Sequence, residues 1–93
     1  MKIDKQYRVL IPASLCNCLG IAPSSTLKIT YLEDQVRLFP ENLPGTEMVE
    51  FHALARLDHR HRICIGKSFI KKANLVDKEL SVSAIGKTII IRW

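Results

Sequence analysis

Apolar and polar residues alternate along two separate stretches of this chain, in the period-2 pattern of a β-strand. Val9 and Ile11 show the alternation first, and Ile63 and Ile65 repeat it. A polar turn precedes each of these strands, and another extended piece precedes each turn. Each stretch is therefore predicted to open as a β-hairpin. The extended piece before the second turn is the longer one, and its alternation over 49–57 predicts a strand with one side in solvent.

A short helix is predicted after each of these strands, over 13–19 and over 67–73. Each carries an i, i+4 apolar pair that would face the core. Gly20 and Asn74 follow the two helices, and these are the residue types that most often adopt the left-handed conformation at a helix end. The apolar pairs are Leu15 with Leu19, and Phe69 with Ala73.

Two closing strands are predicted after each helix. They lie over 27–31 and 36–39 in the first stretch, and over 80–84 and 88–93 in the second. The element order is therefore ββαββ, twice. The segment 40–48 contains proline, asparagine and glycine, a composition typical of a linker.

The two stretches are copies of one internal repeat. Residues 3–11 return as 57–65, 54 positions later, with the same aspartate and arginine spacing. A copy of about 40 residues is too short to bury an adequate core alone, so we expect the copies to share one core. The predicted division is one domain, 1–93, made of a first repeat 1–39, a linker 40–48 and a second repeat 49–93.

Composition favours a folded cytoplasmic protein. The hydrophobic share is 47%, which favours a globular chain over a disordered one. No apolar stretch approaches the roughly 20 residues of a membrane span, and the N-terminus has no secretory apolar region. We therefore expect a cytoplasmic protein without a membrane partner.

The three cysteines, an odd number, are expected to be reduced thiols. Cys16 and Cys18 lie two apart on a predicted helix and would point in different directions, so no metal site is predicted. Packing in the core is predicted for Cys18 and Cys64. The sequence contains no catalytic constellation, so we expect neither an enzyme, nor a cofactor, nor a small-molecule substrate.

Charge is distributed unevenly along the chain. The net charge is +5, made up of −1 over 1–54 and +6 over 55–93. Such an imbalance indicates one basic face directed at a polyanion, and nucleic acid is the first candidate. The alternative is an ordinary solvated surface.

Together these motifs resemble the AbrB/MazE/SpoVT family of swapped-hairpin DNA-binding domains. The Asp-x-x-x-Arg turn, the Ile-Pro before the helix and the Gly-Ile after it carry the resemblance, which covers about 2–39 and 56–93. Two copies in one chain look most like the MraZ-type regulators. The resemblance implies a mainly β fold with short helices, in which two ββαββ repeats form one swapped-hairpin β-barrel with pseudo-two-fold symmetry. It also implies a bacterial, nucleoid-associated transcription regulator.

The resemblance places the DNA contacts on the two turns and the residues that flank them. Arg8 and Arg62 match the family's arginine; they either contact DNA or pair with Asp4 and Asp58 to brace the turns. The family has glycine before this arginine, where this chain has an aromatic residue, so the turn geometry is expected to differ. The aromatic at the first tip would either stack on a base or lie in solvent. The candidate DNA-binding residues are Lys5, Tyr7, Arg8, Arg56, His59, Arg60, Arg62 and Lys67.

The function expected is therefore binding of double-stranded DNA to regulate transcription. An antitoxin-type protein-interaction module of a toxin–antitoxin pair is the alternative. A homo-oligomer is a further candidate, with Trp93 and the strand over 49–57 as its interface.

Overall fold

The computed structural model describes residues 1–41 and 50–93. Within them the chain forms seven strands and two short helices, so the prediction of a mainly β fold with short helices is confirmed. Apart from residues 40 and 41, the predicted linker 40–48 lies outside the described residues, as does Val49. The elements in chain order are β1 (Arg8–Leu10), α1 (Ala13–Leu19), β2 (Thr26–Tyr31), β3 (Gln35–Pro40), β4 (Ala53–Arg56), β5 (Arg62–Cys64), α2 (Lys67–Lys72), β6 (Ser81–Ile85) and β7 (Thr88–Arg92).

The strands pair in two antiparallel sheets. Strands β1 and β5 form a two-stranded ribbon, and the other five form a sheet in the order β4-β2-β3-β7-β6. The two closing hairpins, β2 with β3 and β6 with β7, lie where the alternation of apolar residues predicts them. The longer strand predicted over 49–57 is regular only as β4, whose residues Ala53 and Ala55 face inward while Leu54 is half exposed.

The strands beside the two turns do not pair with each other as opening hairpins. One backbone bond closes each turn, from Asp4 N to Arg8 O and from Asp58 N to Arg62 O. Beyond that bond β1 pairs with β5, and β4 pairs with β2. The prediction that each stretch opens as a β-hairpin is therefore wrong in its pairing. Alternation fixes which side of a strand is buried but does not identify its partner.

At the other end of the five-stranded sheet, Met1 makes contacts with β6 similar to those that β4 makes with β2. Its amine donates to Leu80 O at 3.0 Å, and Leu80 N donates back to Met1 O at 2.6 Å. The amine also pairs with the carboxylate of Glu79. Residues 1–4 are otherwise not part of a strand, so the first of the two predicted ββαββ units lacks its opening strand.

One apolar cluster joins both sheets and both helices. Its members come from β1, β5, β2, β3 and β7, together with one residue of each helix. Full burial of an isoleucine or leucine side chain contributes about 1.5–3 kcal/mol, so this cluster supplies most of the favourable free energy of folding. Residues of the cluster that are fully buried are Val9, Ile11, Cys16, Leu27, Val36, Leu38, Leu57, Ile63, Ile65, Ile70, Leu75, Ile89 and Ile91.

The two helices contribute to the cluster from an unexpected side. The predicted pairs, Leu15 with Leu19 and Phe69 with Ala73, only pack against the cluster, while Cys16 and Ile70 are the residues that are fully buried. Cys18 is exposed, so its predicted burial is wrong; two positions along a helix turn a side chain about 200° away from Cys16.

Both helix ends follow the sequence. Gly20 takes the left-handed conformation at φ 69°, and Asn74 does so at φ 57° after α2. These residues relieve the backbone at each helix end and turn the chain toward the next strand. No helix among residues 1–41 and 50–93 is long and apolar enough to cross a bilayer.

Candidate nucleic-acid interface

The first turn, residues 4–8, is organised by one aspartate. Asp4 Oδ1 accepts hydrogen bonds from the backbone N–H of Gln6 at 2.9 Å and of Arg8 at 2.8 Å. Asp4 Oδ2 accepts another from Arg8 Nε at 2.9 Å. A side-chain carboxylate that satisfies backbone donors in this way fixes a turn locally, without help from the rest of the fold.

The second turn, residues 58–62, has the same hydrogen bonds. Asp58 Oδ1 accepts from the backbone N–H groups of Arg60 and Arg62, both at 2.8 Å, and Asp58 Oδ2 accepts from Arg62 Nε at 2.9 Å. Arg8 and Arg62 therefore both brace their turns. Each side chain is still about a quarter exposed, at 27% and 25%, so bracing leaves part of each guanidinium accessible.

The residue before each arginine adopts the left-handed conformation. Tyr7 and His61 both have φ 62°, so the expectation that the turns differ in geometry is wrong. This conformation costs a residue with a Cβ about 1–2 kcal/mol relative to its ordinary backbone. The aspartate hydrogen bonds on both sides of the position hold it there in spite of that cost.

The two turns flank the β1–β5 ribbon and contact each other. In the ribbon Val9 lies opposite Ile63, and both point into the core. Arg8 Nη1 lies 3.8 Å from Asp58 Oδ2, so the arginine of the first turn reaches the aspartate of the second. Both turns therefore belong to one continuous surface.

The outward side of the ribbon carries the residues that alternate with the core pair. Arg8 lies opposite Cys64, and Leu10 lies opposite Arg62. Leu10 is 49% exposed, and Cys64 is also exposed. The prediction that Cys64 is a core thiol is wrong, because Ile63 and Ile65 take the inward positions on either side of it. We call this surface, formed by Arg8, Leu10, Arg62, Cys64 and the two turns, the ribbon face.

Hydrogen bonding lowers the pKa of both turn aspartates. At Asp4, desolvation raises the pKa, but the bonds from Arg8 and Gln6 together outweigh it and hold the pKa below its ordinary value of 3.8. At Asp58, the bond from the Arg62 backbone is the main cause of a lowered pKa; the Arg60 backbone and the Arg62 guanidinium add to it.

The lowered pKa values link the turns to acid stability. A carboxylate whose pKa is lower in the folded state stabilises that state above the unfolded pKa of about 4, and the stabilisation is lost as pH falls through the folded pKa. We therefore expect the Asp4→Asn, Asp58→Asn double variant to be less stable than the parent at pH 7. Its stability should also fall less between pH 5 and pH 2.5.

Urea unfolding at a series of pH values measures this prediction. Asp77→Asn, which changes an exposed aspartate outside the two turns, is the matched control and should leave the pH profile of the parent unchanged. An unaltered profile in the double variant would contradict the assignment of acid sensitivity to the turns.

Of the remaining candidate residues, four have exposed side chains at or beside the turns. Lys5, His59 and Arg60 lie on the turns themselves, and Arg56 ends β4 two residues before the second turn. These side chains are accessible to a ligand without any rearrangement.

Tyr7 and Lys67 lie together, contrary to both expectations for them. Tyr7 is half-buried against the core rather than free in solvent or ready to stack on a base. Lys67 Nζ lies 5.2 Å and Lys71 Nζ 5.9 Å from the centre of its ring. Lys67 was expected beside the second turn, but it contacts the first, because α2 packs across the molecule against Tyr7.

Sequence analysis missed Leu10 and Gln6 as members of this surface. The signal for Leu10 was present, since Val9 and Ile11 on either side are both inward. Gln6 is uncharged and drew no attention, although it occupies the tip of the first turn, where Arg60 occupies the tip of the second. Among the described residues, no group of three or more His, Cys, Asp or Glu side chains is arranged to hold a metal ion.

Comparison with known proteins found no matching family model, no matching curated protein and no matching solved structure.

Proposed function

We propose that this chain binds double-stranded DNA through the ribbon face and regulates transcription. The observation that carries the proposal is the outward side of β1–β5, a two-stranded antiparallel ribbon with an arginine on each strand and an aspartate-fixed basic turn at each end. The major groove of B-form DNA admits a two-stranded β-ribbon, and several DNA-binding proteins use one there.

The charges of the ribbon face fit this partner. Lys5 and Arg60 extend from the turns, while Arg8 and Arg62 present the accessible part of their guanidinium groups. Arginine forms paired hydrogen bonds with phosphate and with the guanine edge, and lysine supplies a point charge to phosphate. Leu10 adds an apolar surface of the kind that contacts a thymine methyl group.

The proposed architecture is a swapped-hairpin β-barrel with pseudo-two-fold symmetry, as in the AbrB/MazE/SpoVT family that the sequence resembles. Strand registers support it. Val9 pairs with Ile63, its equivalent 54 residues later, and Arg37 pairs with Ile90, its equivalent 53 residues later. Pairs of equivalent residues are expected on a two-fold axis.

Exchange of strands between the halves gives further support. Strand β4 precedes the second turn but pairs with β2, so that Leu27 lies opposite Ala55. Met1 precedes the first turn and bonds to Leu80. These are equivalent pairs under the same offsets, which is the pattern expected if each half lends its opening strand to the other. The proposed binder therefore carries two equivalent turns on one surface.

The proposal is tested by fluorescence anisotropy with short labelled duplexes at several salt concentrations. Neutralisation of about four phosphates weakens binding on the order of 10²-fold between 50 and 200 mM salt. We expect a dependence of that steepness. We also expect Arg60→Glu to weaken binding about tenfold or more, because it removes a turn-tip contact and adds repulsion.

Lys87→Glu is the matched control, since it makes the same change in net charge in the turn between β6 and β7. It should weaken binding far less than Arg60→Glu. Equal losses in the two variants, or no binding of duplex DNA by the parent, would overturn the proposal. Co-purification of a stoichiometric protein partner together with that second result would favour the antitoxin alternative.

A further inference from the structure

The two turns present different side chains from the same backbone frame. Gln6 N donates to Asp4 Oδ1 at 2.9 Å, and Arg60 N donates to Asp58 Oδ1 at 2.8 Å. The residue that follows each has φ 62°. Gln6 and Arg60 therefore leave their turns in equivalent positions, and both side chains are exposed.

These two side chains have different base preferences. Glutamine forms paired hydrogen bonds with adenine N6 and N7, whereas arginine forms them with guanine O6 and N7. Because the surrounding hydrogen bonds are the same, the difference in chemistry is confined to the side chain. Two equivalent frames with different readers cannot prefer identical half-sites.

We propose that the chain recognises a non-palindromic duplex site, with Arg60 contacting guanine in one half and Gln6 contacting adenine in the other. This inference rests on the proposed function, and it adds the sequence class of the DNA. It gives the bound protein a fixed direction along the duplex, which a symmetric pair of turns would not do.

The phosphate contacts differ between the halves as well. Lys67 and Lys71 of α2 lie against Tyr7, beside the adenine-contacting turn. The residues 54 positions earlier, on α1, are Ala13 and Asn17, which are uncharged. The backbone flanking the adenine half therefore meets two additional cations, which reinforces the same direction of binding.

The register limits the spacing of the two contacted bases. Gln6 and Arg60 each precede the central pair Val9–Ile63 by three residues, in opposite directions along the ribbon. At about 3.3 Å per residue the tips are at most about 20 Å apart. That span corresponds to no more than about six base pairs at 3.4 Å each.

Selection of bound duplexes from a random pool tests the inference with the full-length chain. We expect the parent to select an asymmetric site, with guanine and adenine no more than about six base pairs apart. Gln6→Arg should convert the site to a symmetric one with guanine in both halves. Arg60→Gln should instead place adenine in both halves, and each variant should favour its own site about tenfold or more over the parental site.

Ser83→Arg is the control for added charge, because it places an arginine on the outer side of β6, away from the ribbon face. It should leave the selected sequence unchanged. A parent that binds duplex DNA but selects a symmetric site, or a Gln6→Arg variant that selects the parental site, would overturn this inference and leave the proposed function standing. Failure of the parent to bind any duplex would overturn the proposed function itself.

Discussion

Residues 1–48, expressed alone, are expected to be unfolded. In that fragment β1 loses β5, its partner in the ribbon, and β3 loses β7, its neighbour in the five-stranded sheet. Strand β2 also loses β4. The remaining hairpin and one seven-residue helix cannot bury enough apolar surface to offset the entropy of ordering the chain, because an isolated hairpin is marginal in water.

Circular dichroism and the dispersion of amide proton shifts measure this prediction. Residues 49–93 alone are expected to be unfolded as well, and an equimolar mixture of the two fragments should recover the spectrum of the intact chain. Recovery that depends on concentration is expected, since joining the halves in one chain makes their association intramolecular. A fragment that unfolds cooperatively as a stable monomer would contradict the shared core.

Gly66→Ala is expected to be among the most destabilising single substitutions in the chain. Gly66 has φ +105°, a conformation that other residues rarely adopt. A Cβ at this position would also lie 2.7 Å from the hydroxyl oxygen of Tyr31. Backbone strain and overpacking together should lower the free energy of unfolding by about 2–4 kcal/mol.

The clash is expected to be severe because Tyr31 cannot easily move. Its hydroxyl donates to Ile65 O at 2.8 Å, and its ring stacks on Phe69 with centroids 4.4 Å apart. Phe69 in turn meets the edge of Trp93, with centroids 5.8 Å apart. A shift of Tyr31 to admit a methyl group would disturb the packing that holds α2.

Urea unfolding of a double-mutant cycle separates the two causes. Tyr31→Phe removes the hydroxyl that would clash, so it should cost less in the Gly66→Ala background than in the parent, with a coupling of about 1 kcal/mol. Gly86→Ala is the control: its φ is +59° but no atom lies within 4 Å of the added Cβ, so only backbone strain of about 1 kcal/mol is expected. Equal losses at Gly66 and Gly86 would contradict the role of Tyr31.

Local elements of the fold follow from the sequence because local physics decides them. The α1 boundaries, the left-handed Gly20 and Asn74, and the two closing hairpins all depend on short-range patterns. Strand partners depend on which apolar surfaces meet across the whole chain. The pairing of β1 with β5 therefore had no signal in the alternation of either strand.

The conformation of the turns was mispredicted because propensity was weighed without the hydrogen bonds that oppose it. Tyrosine disfavours a positive φ, yet Asp4 bonds to the backbone on both sides of Tyr7 and imposes one. Cys64 was misplaced for a different reason: its apolar neighbours were taken as evidence of burial, although period 2 puts it on the opposite side from them.

The candidate site could be located from the sequence but not assembled from it. The Asp-x-x-x-Arg spacing identifies both turns, and the bracing role of the arginines was one of two alternatives that it left open. The charge count shows that the second half is basic, yet it does not reveal that Lys67 and Lys71 lie against the first turn. That arrangement follows from the packing of α2 against the opposite half.

The most direct test of DNA binding at the ribbon face is titration of the isotopically labelled chain with a short duplex, followed by amide chemical shifts. We expect the largest changes at residues 4–10 and 58–64 and at the amides of α2, with small changes on the outer side of β2, β3 and β7. Changes centred on that outer side, with the turns unaffected, would contradict the account.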